Sequence, residues 1–547
     1  MIQKILNTQT KSVSVATLIL ASFYIASGLL GLFRDRLLFG KFGAGNELDV
    51  YYAAFTIPDL IALILVFGAI SAAIIPIFSG YLVRSKNEAF EYASTLLNVF
   101  LTCLIVVCGT FILFAPLFVK FIAPGFSPEK QATTIMLMRI MFLSPIILGV
   151  SNIVSGILQV FHRFLVTALA PVMYNLGIIF GIVFFVPLFG IKGLAFGVVL
   201  GGVLHLAIQI PAFFYSGFRY KRLFNFRHEG VVKTLKLMAP RSLGLGAGQI
   251  NTIATTAIAS TLLAGSVAVF NWTNNFSNMI ISVIGVSLST ATFPSLSLAY
   301  LKEDKKDFQQ TFTSTFLQMI FFMIPVGVLL FILRAQVVRI ILGTGRFDWT
   351  DTRLTAACMG IFAVGLCAQG LIFLLSKAFY AAHNTKIPAI ISAATVAFNI
   401  LMSLLFVWLL NLHGWFFETM QALLRLEGIN NIGVVGLALS FTITGITETS
   451  LLLILLYKKY HVFRAGYVGV AFGKIIFAAT VSGVLAFFVR QSLVYLNIIQ
   501  LQTFLGVFSQ LVITGIAGVL SYVVVLYFLK SKELLRTRQM FFKKPTA

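Results

Sequence analysis

Residues 31–81 read GLFRDRLLFGKFGAGNELDVYYAAFTIPDLIALILVFGAISAAIIPIFSGY, two apolar runs joined by a turn that carries Arg34, Asp35, Arg36, Lys41, Glu47 and Asp49. As helices, runs of about 20 apolar residues cross the roughly 30 Å hydrocarbon core of a bilayer. Charge packed so closely between two such runs marks a corner that meets a polar cargo or a polar interface. Outward from it, the 547-residue chain is 59% hydrophobic and 10% charged, with mean hydropathy +0.98, a balance that excludes a water-soluble globular protein.

Fourteen apolar windows follow one another: 12–33, 50–82, 92–122, 131–157, 164–187, 192–216, 233–263, 266–298, 310–333, 354–380, 388–411, 432–457, 467–490 and 503–530. They are continuous, without the alternation of barrel strands, so the fold class is all-α: a polytopic membrane protein of about 14 transmembrane helices. The first run is too long for the apolar region of a cleaved leader and reads as a retained span.

The net charge of +23 does not point to nucleic acid, because the basic residues are sorted by loop. With the N-terminus cytoplasmic, loops on that side hold about 25 Lys and Arg against about 10 opposite, which places both termini in the cytoplasm. Anionic lipids are the expected partners of these clusters. Cys103, Cys108, Cys358 and Cys367 fall inside spans with no His or carboxylate spaced to join them, so neither a disulfide framework nor a metal site is expected. No cofactor, hydrolase, kinase or redox pattern is present, and the chain reads as a non-enzyme.

A repeat organises the chain at an offset of 218 residues. Ser71 and Pro76 correspond to Ser289 and Pro294, and Phe161 to Phe379; each phenylalanine is followed by a proline (Pro171, Pro388) and an in-span asparagine (Asn175, Asn399). Six spans per half give both halves one orientation, a plan common in secondary transporters with the substrate path near the midplane. The expected divisions are an N-lobe at 1–216, a basic amphipathic linker at 217–232, a C-lobe at 233–460, and two further spans with a basic tail at 461–547. The loop 411–433 carries GWFFETMQALLRLEG, a candidate interfacial helix.

The opening stretch resembles the signature of the MurJ/MviN family, flippases of lipid-linked peptidoglycan precursor within the multidrug/oligosaccharidyl-lipid/polysaccharide exporter superfamily. GLFRD, FGAG, Asp49 of ELDVYYAAF and IPDL carry the resemblance. FHRF with APVMYN at 161–175, AP at 239–240 with Gln249, AGSV at 264–267, FPSLS at 293–297, GTGRFD at 343–348 and AFYAAHNTKIP at 378–388 extend it over nearly the whole chain. It implies two six-helix lobes plus two C-terminal helices, alternating access, and lipid II as cargo. The chain also departs from the family pattern: Gly28, Ala62 and Leu63 stand where such flippases have arginines, Phe67 where they have a glutamate, and TNNFSNMI, with Asn275 and Asn278, replaces a stretch with an arginine and a glutamate.

Moving a diphosphate headgroup calls for cations with planar, bidentate geometry, and Arg34 is the leading candidate, with Asp35 placed to pair with it or with Arg36. The competing structural reading is a snorkelling interfacial pair. Asp49 either caps its helix or pairs with an arginine. Arg241 offers a second cation or marks the interface. Asn271, Asn274, Asn275 and Asn278 share one helical face, for headgroup amide contacts or interhelical packing. Glu448, the lone deep acid of the second half, is the coupling candidate or a satisfied interhelical hydrogen bond. Another lipid-linked saccharide, a drug-like solute, or a transport-inactive scaffold are the alternative functions, and the chain reads as a monomer.

Overall fold

The computed structural model describes residues 13–67, 70–463, 465–496, 499–500 and 502–535; within these, the side chains of 13–14, 16–17, 66–67, 70–72, 239–247 and 465 lie outside that description. Helices dominate, and among the described residues thirteen are long and apolar enough to cross a membrane. The expected seventh span forms the helix Glu229–Ser260. A helix satisfies its own backbone polar groups in lipid, which is why these apolar runs fold as they do.

Two compact units emerge. Unit 1 comprises residues 1–267 with 344–346, and unit 2 comprises 268–343 with 347–547. The helix Glu229–Ser260 packs within unit 1 against Asn46–Ile61 and Ile70–Arg84, so the compact division falls at Val267 and Ala268.

Local geometry recurs between the units. The span that begins at Asn46 carries a π-helical stretch, Ala62–Phe67, ahead of Pro76, and the span that begins at Ser266 carries one, Ser282–Val286, ahead of Pro294. Wide turns and prolines free carbonyls and bend helices. The helix end at His162 (φ 56°) is mirrored at His383 (φ 55°). Arg163 N–H donates to Leu158 O and Asn384 N–H to Phe379 O, each at 2.9 Å, the same left-handed cap in both units.

In the linker, residues 218–225 form an irregular strap rather than a helix. Glu91, Ser94 and Asn98, on one face of Lys86–Leu113, supply the partners a helix would have supplied: Lys221 N–H donates to Ser94 Oγ (3.1 Å), Lys221 Nζ to Glu91 Oε1 (2.7 Å), Asn98 Nδ2 to Leu223 O (2.8 Å) and Tyr220 OH to Asn98 Oδ1 (2.7 Å). The loop helix is present as expected, at Trp415–Leu424.

Phe164–Phe189 and Lys192–Tyr215 lie closer than ordinary side chains allow. Gly177 faces Gly201, and Gly181 faces Gly197, backbone against backbone. The four-residue spacing in 177–181 and 193–197–201 puts these glycines on one stripe of each helix, the arrangement that lets helices approach in lipid. Gly197→Leu is therefore expected to force the pair apart, at about 1–3 kcal/mol for an overpacked seam; a lowered unfolding temperature of the purified protein checks it. In unit 2, the last two spans are integral to the packing. Tyr522 OH donates to Phe321 O (2.9 Å) and Ser482 Oγ to Gly518 O (2.6 Å). An apolar groove lined by Val481, Val484, Leu485 and Phe488 runs along Ala465–Tyr495.

Candidate functional site

Arg34 sits eight residues before the end of the helix Val13–Phe42. Its side chain is 28% exposed, and that of Asp35 13%. Nε and Nη2 both donate to Asp35 Oδ1 (3.0 and 2.8 Å), and Nη1 donates to Asn175 Oδ1 (3.1 Å). Asn175 is fixed in turn: its Nδ2 donates to Ser27 Oγ (3.1 Å) and Ser27 O (3.2 Å), and to Pro171 O (3.3 Å) within its own helix. The amide thus has one orientation, acceptor toward the arginine.

Around this pair stand Tyr51, Tyr52 and Tyr174, each within electrostatic reach of the guanidinium. Asp59 is exposed although it lies inside the span Asn46–Leu65, and it acts on Tyr174. Unit 1 therefore carries a patch with one cation, two carboxylates, three phenols and an oriented amide. Such a surface is costly against lipid and suits a polar headgroup. The arginine is held flat by Asp35 and Asn175, with donors left over from its five N–H groups.

Asp49 belongs elsewhere. It is 2% exposed, and its Oδ2 accepts from Gly265 N–H at 2.7 Å. The N-cap of its own helix is Gly45, four residues earlier. Gly265 has φ +91°, and a Cβ there would strike the Ala44 carbonyl. The loop 344–346 joins the same region, since Arg346 N–H donates to Gly40 O (2.9 Å) and Gly345, at φ +58°, abuts the Gly40 carbonyl. The motif pieces FGAG, AGSV and GTGR are thus three turns that touch the same end of the first two spans.

Arg241 lies in the helix Glu229–Ser260, but its side chain is outside the described residues. Asn271, Asn274, Asn275 and Asn278 occupy one side of the helix Ser266–Ile281, opposite buried Trp272, Thr273 and Ser277. Asn278 Nδ2 donates to Asn274 Oδ1 (3.3 Å), and Asn275 and Asn278 are exposed. Glu448 stands beside the hydroxyls of Ser392 and Thr395, with Tyr380 in electrostatic reach. The four asparagines and Glu448 belong to unit 2, whereas Arg241 belongs to unit 1. Sequence reasoning did not single out Asp59, Tyr174 or Lys377, whose Nζ donates to Thr290 Oγ1. A charge within an apolar run is the signal that would have found Asp59 and Lys377.

The helical plan and the polar patch set inside spans define a multi-pass membrane transporter. Its fold is shared with two solved structures: one described as lipid II flippase MurJ in an inward closed conformation (TM-score 0.73, 24% identity, 94% of this chain and 99% of that one), the other as a MATE family multidrug resistance transporter of the MOP superfamily (0.63, 16%, 80% and 94%). The family model described as lipid II flippase MurJ matches residues 40–508. The probable lipid II flippase MurJ of Buchnera aphidicola subsp. Acyrthosiphon pisum (strain APS) is 30% identical over 505 residues, 88% of this chain and 96% of its own length. The lipid II flippase MurJ of Burkholderia cenocepacia is 27% identical over 401 residues, 72% of this chain and 78% of its own length. The chain belongs to the MurJ family.

Proposed function

We propose that the protein translocates lipid II, the polyprenyl-diphosphate-linked peptidoglycan precursor, across the bacterial inner membrane as a monomeric transporter. Membership of the MurJ family supports the cargo, and the observation that carries the reading for this chain is Arg34 inside a span, oriented by Asp35 and Asn175. A diphosphate brings more charge than one carboxylate. It competes with Asp35 for the guanidinium fork, while Asp35 and Asn175 hold the cation ready and keep it from trapping small anions. Exposed Asn275 and Asn278 offer amides to the sugar or peptide. Headgroup binding then shifts the balance between states open to either side of the membrane.

The lobes that alternate are taken as 1–216 and 233–460, with both termini cytoplasmic and the basic loops against anionic lipid, a reading supported by the loop charge asymmetry. Glu448 is the proposed coupling residue. The test is rescue of cells depleted of their own lipid II flippase. Sustained growth with precursor reaching the outer face supports the proposal; normal membrane insertion without rescue overturns it. In the same assay, Asn275→Ala with Asn278→Ala is expected to slow translocation by about three- to tenfold, the size of one or two neutral hydrogen bonds.

A further inference from the structure

Three arginines of unit 2 converge at the end of the molecule that carries the loop 411–433. Arg334 lies near the end of the helix Lys305–Leu342, Arg490 near the end of Ala465–Tyr495, and Arg425 just after the helix Trp415–Leu424. Arg490 Nη1 donates to Ile332 O at 2.7 Å, two residues before Arg334, and all three charges act on one another. Arg334 and Arg490 are half-buried; Arg425 is exposed.

Like charges do not gather at half-buried positions without compensation. Among the described residues no carboxylate lies within ion-pair distance of any of the three, and the segments outside the described residues contain no Asp or Glu. The nearby acid Glu427 is 3.6 Å from Arg353, which also donates to the Arg425 and Glu427 carbonyls and so fixes the loop that carries Arg425. Of the five N–H donors on each guanidinium, Arg334 commits one to Phe331 O (2.8 Å) and Arg490 one to Ile332 O. Among the described residues neither guanidinium has a further hydrogen-bond acceptor. Each half-buried arginine also rests on an aromatic ring, Phe331 (4.7 Å) and Phe487 (5.0 Å), and both rings are exposed on the apolar flank. Cation over aromatic at a span end suits the level where a headgroup meets its chains.

We propose that Arg334, Arg490 and Arg425 form a binding site for the phosphate group of a membrane lipid. Two guanidinium forks grip the phosphate oxygens from the seam between the ninth and thirteenth spans, Arg425 closes over it from the loop, and Phe331 and Phe487 meet the hydrocarbon. This site lies in unit 2 and does not depend on lipid II being the cargo.

The full-length protein, purified into phosphatidylcholine nanodiscs, is titrated with phosphatidylglycerol and followed by native mass spectrometry; in detergent it is titrated with inorganic pyrophosphate. Phosphatidylglycerol is expected to bind the wild type, and Arg334→Gln and Arg490→Gln each to weaken it by about tenfold or more, the loss of a charge-assisted hydrogen bond. Arg425→Gln, on an exposed loop, guards against misfolding and is expected to weaken binding in the same direction. Unchanged phosphatidylglycerol affinity in all three variants overturns the site. A pyrophosphate response removed by Arg425→Gln, with no phosphatidylglycerol response, overturns the lipid assignment in favour of a soluble anion. Translocation is not the readout, so failure here leaves the flippase reading standing.

Discussion

Arg34→Ala is expected to cut translocation of lipid II by at least about tenfold, and more than that if both forks of the guanidinium grip the diphosphate. Membrane insertion should persist, since the side chain is part-exposed and its bonds to Asp35 and Asn175 are polar contacts at a surface rather than core packing. Arg34→Lys separates charge from geometry. Lysine keeps the cation but cannot donate to Asp35 and Asn175 at once from a planar fork, so an intermediate loss is expected. Asn175→Leu tests the orientation alone, leaving Arg34 in place but freeing it from its second anchor. Its expected signature is a weaker apparent affinity for lipid II with a smaller change in maximal rate. Rates in proteoliposomes carrying labelled lipid II, with the unfolding temperature of each variant, read these outcomes. Full activity in Arg34→Ala removes the arginine from headgroup binding.

Asp59 makes the same patch testable from the opposite sign. An exposed carboxylate within a span repels a diphosphate and favours a cation or a proton. The family pattern has arginines where this chain has Gly28, Ala62 and Leu63, so the patch around Arg34 holds fewer cations to set against Asp59.

Arg34 and Asp35 could be read from the sequence because charge inside a membrane-length helix is costly wherever it occurs. Asn175 could not be assigned, because its partner lies 141 residues away and nothing local distinguishes an amide that orients an arginine from one that packs helices. The span pattern was legible since apolar length alone sets it, and the recurring prolines marked the bent spans. The strap at 218–225 was not, because what unravels it is Glu91, Ser94 and Asn98 on a neighbouring helix. Asp59 passed as part of the IPDL signature. The turn glycines were legible as motifs but not as contacts, because a glycine's purpose lies in what approaches it.

Asp49 and Gly265 are where that approach has the largest expected effect on folding. Asp49 sits four residues from its own helix's N-cap, too far in to cap it, and is instead spent on the N–H of Gly265, immediately before Ser266–Ile281. A carboxylate at a helix start is favoured by the orphan donors and dipole there. Asp49→Ala leaves that N–H facing a site from which water is excluded, at about 1–3 kcal/mol. Asp49→Asn keeps an acceptor and should cost less. Gly265→Ala acts on the other partner. With φ at +91° and its Cβ directed at the Ala44 carbonyl, it meets backbone strain of about 1–3 kcal/mol as well as the clash. Since both substitutions release the same turn, their effects should not add. Once Asp49→Ala has freed the turn, Gly265→Ala should cost measurably less than in the wild type. Thermal unfolding at a fixed scan rate compares the four proteins, and strict additivity would mean that the two residues do not act as one clasp. If Asp49→Ala instead melts like the wild type while translocation fails, Asp49 serves the transport cycle rather than the fold.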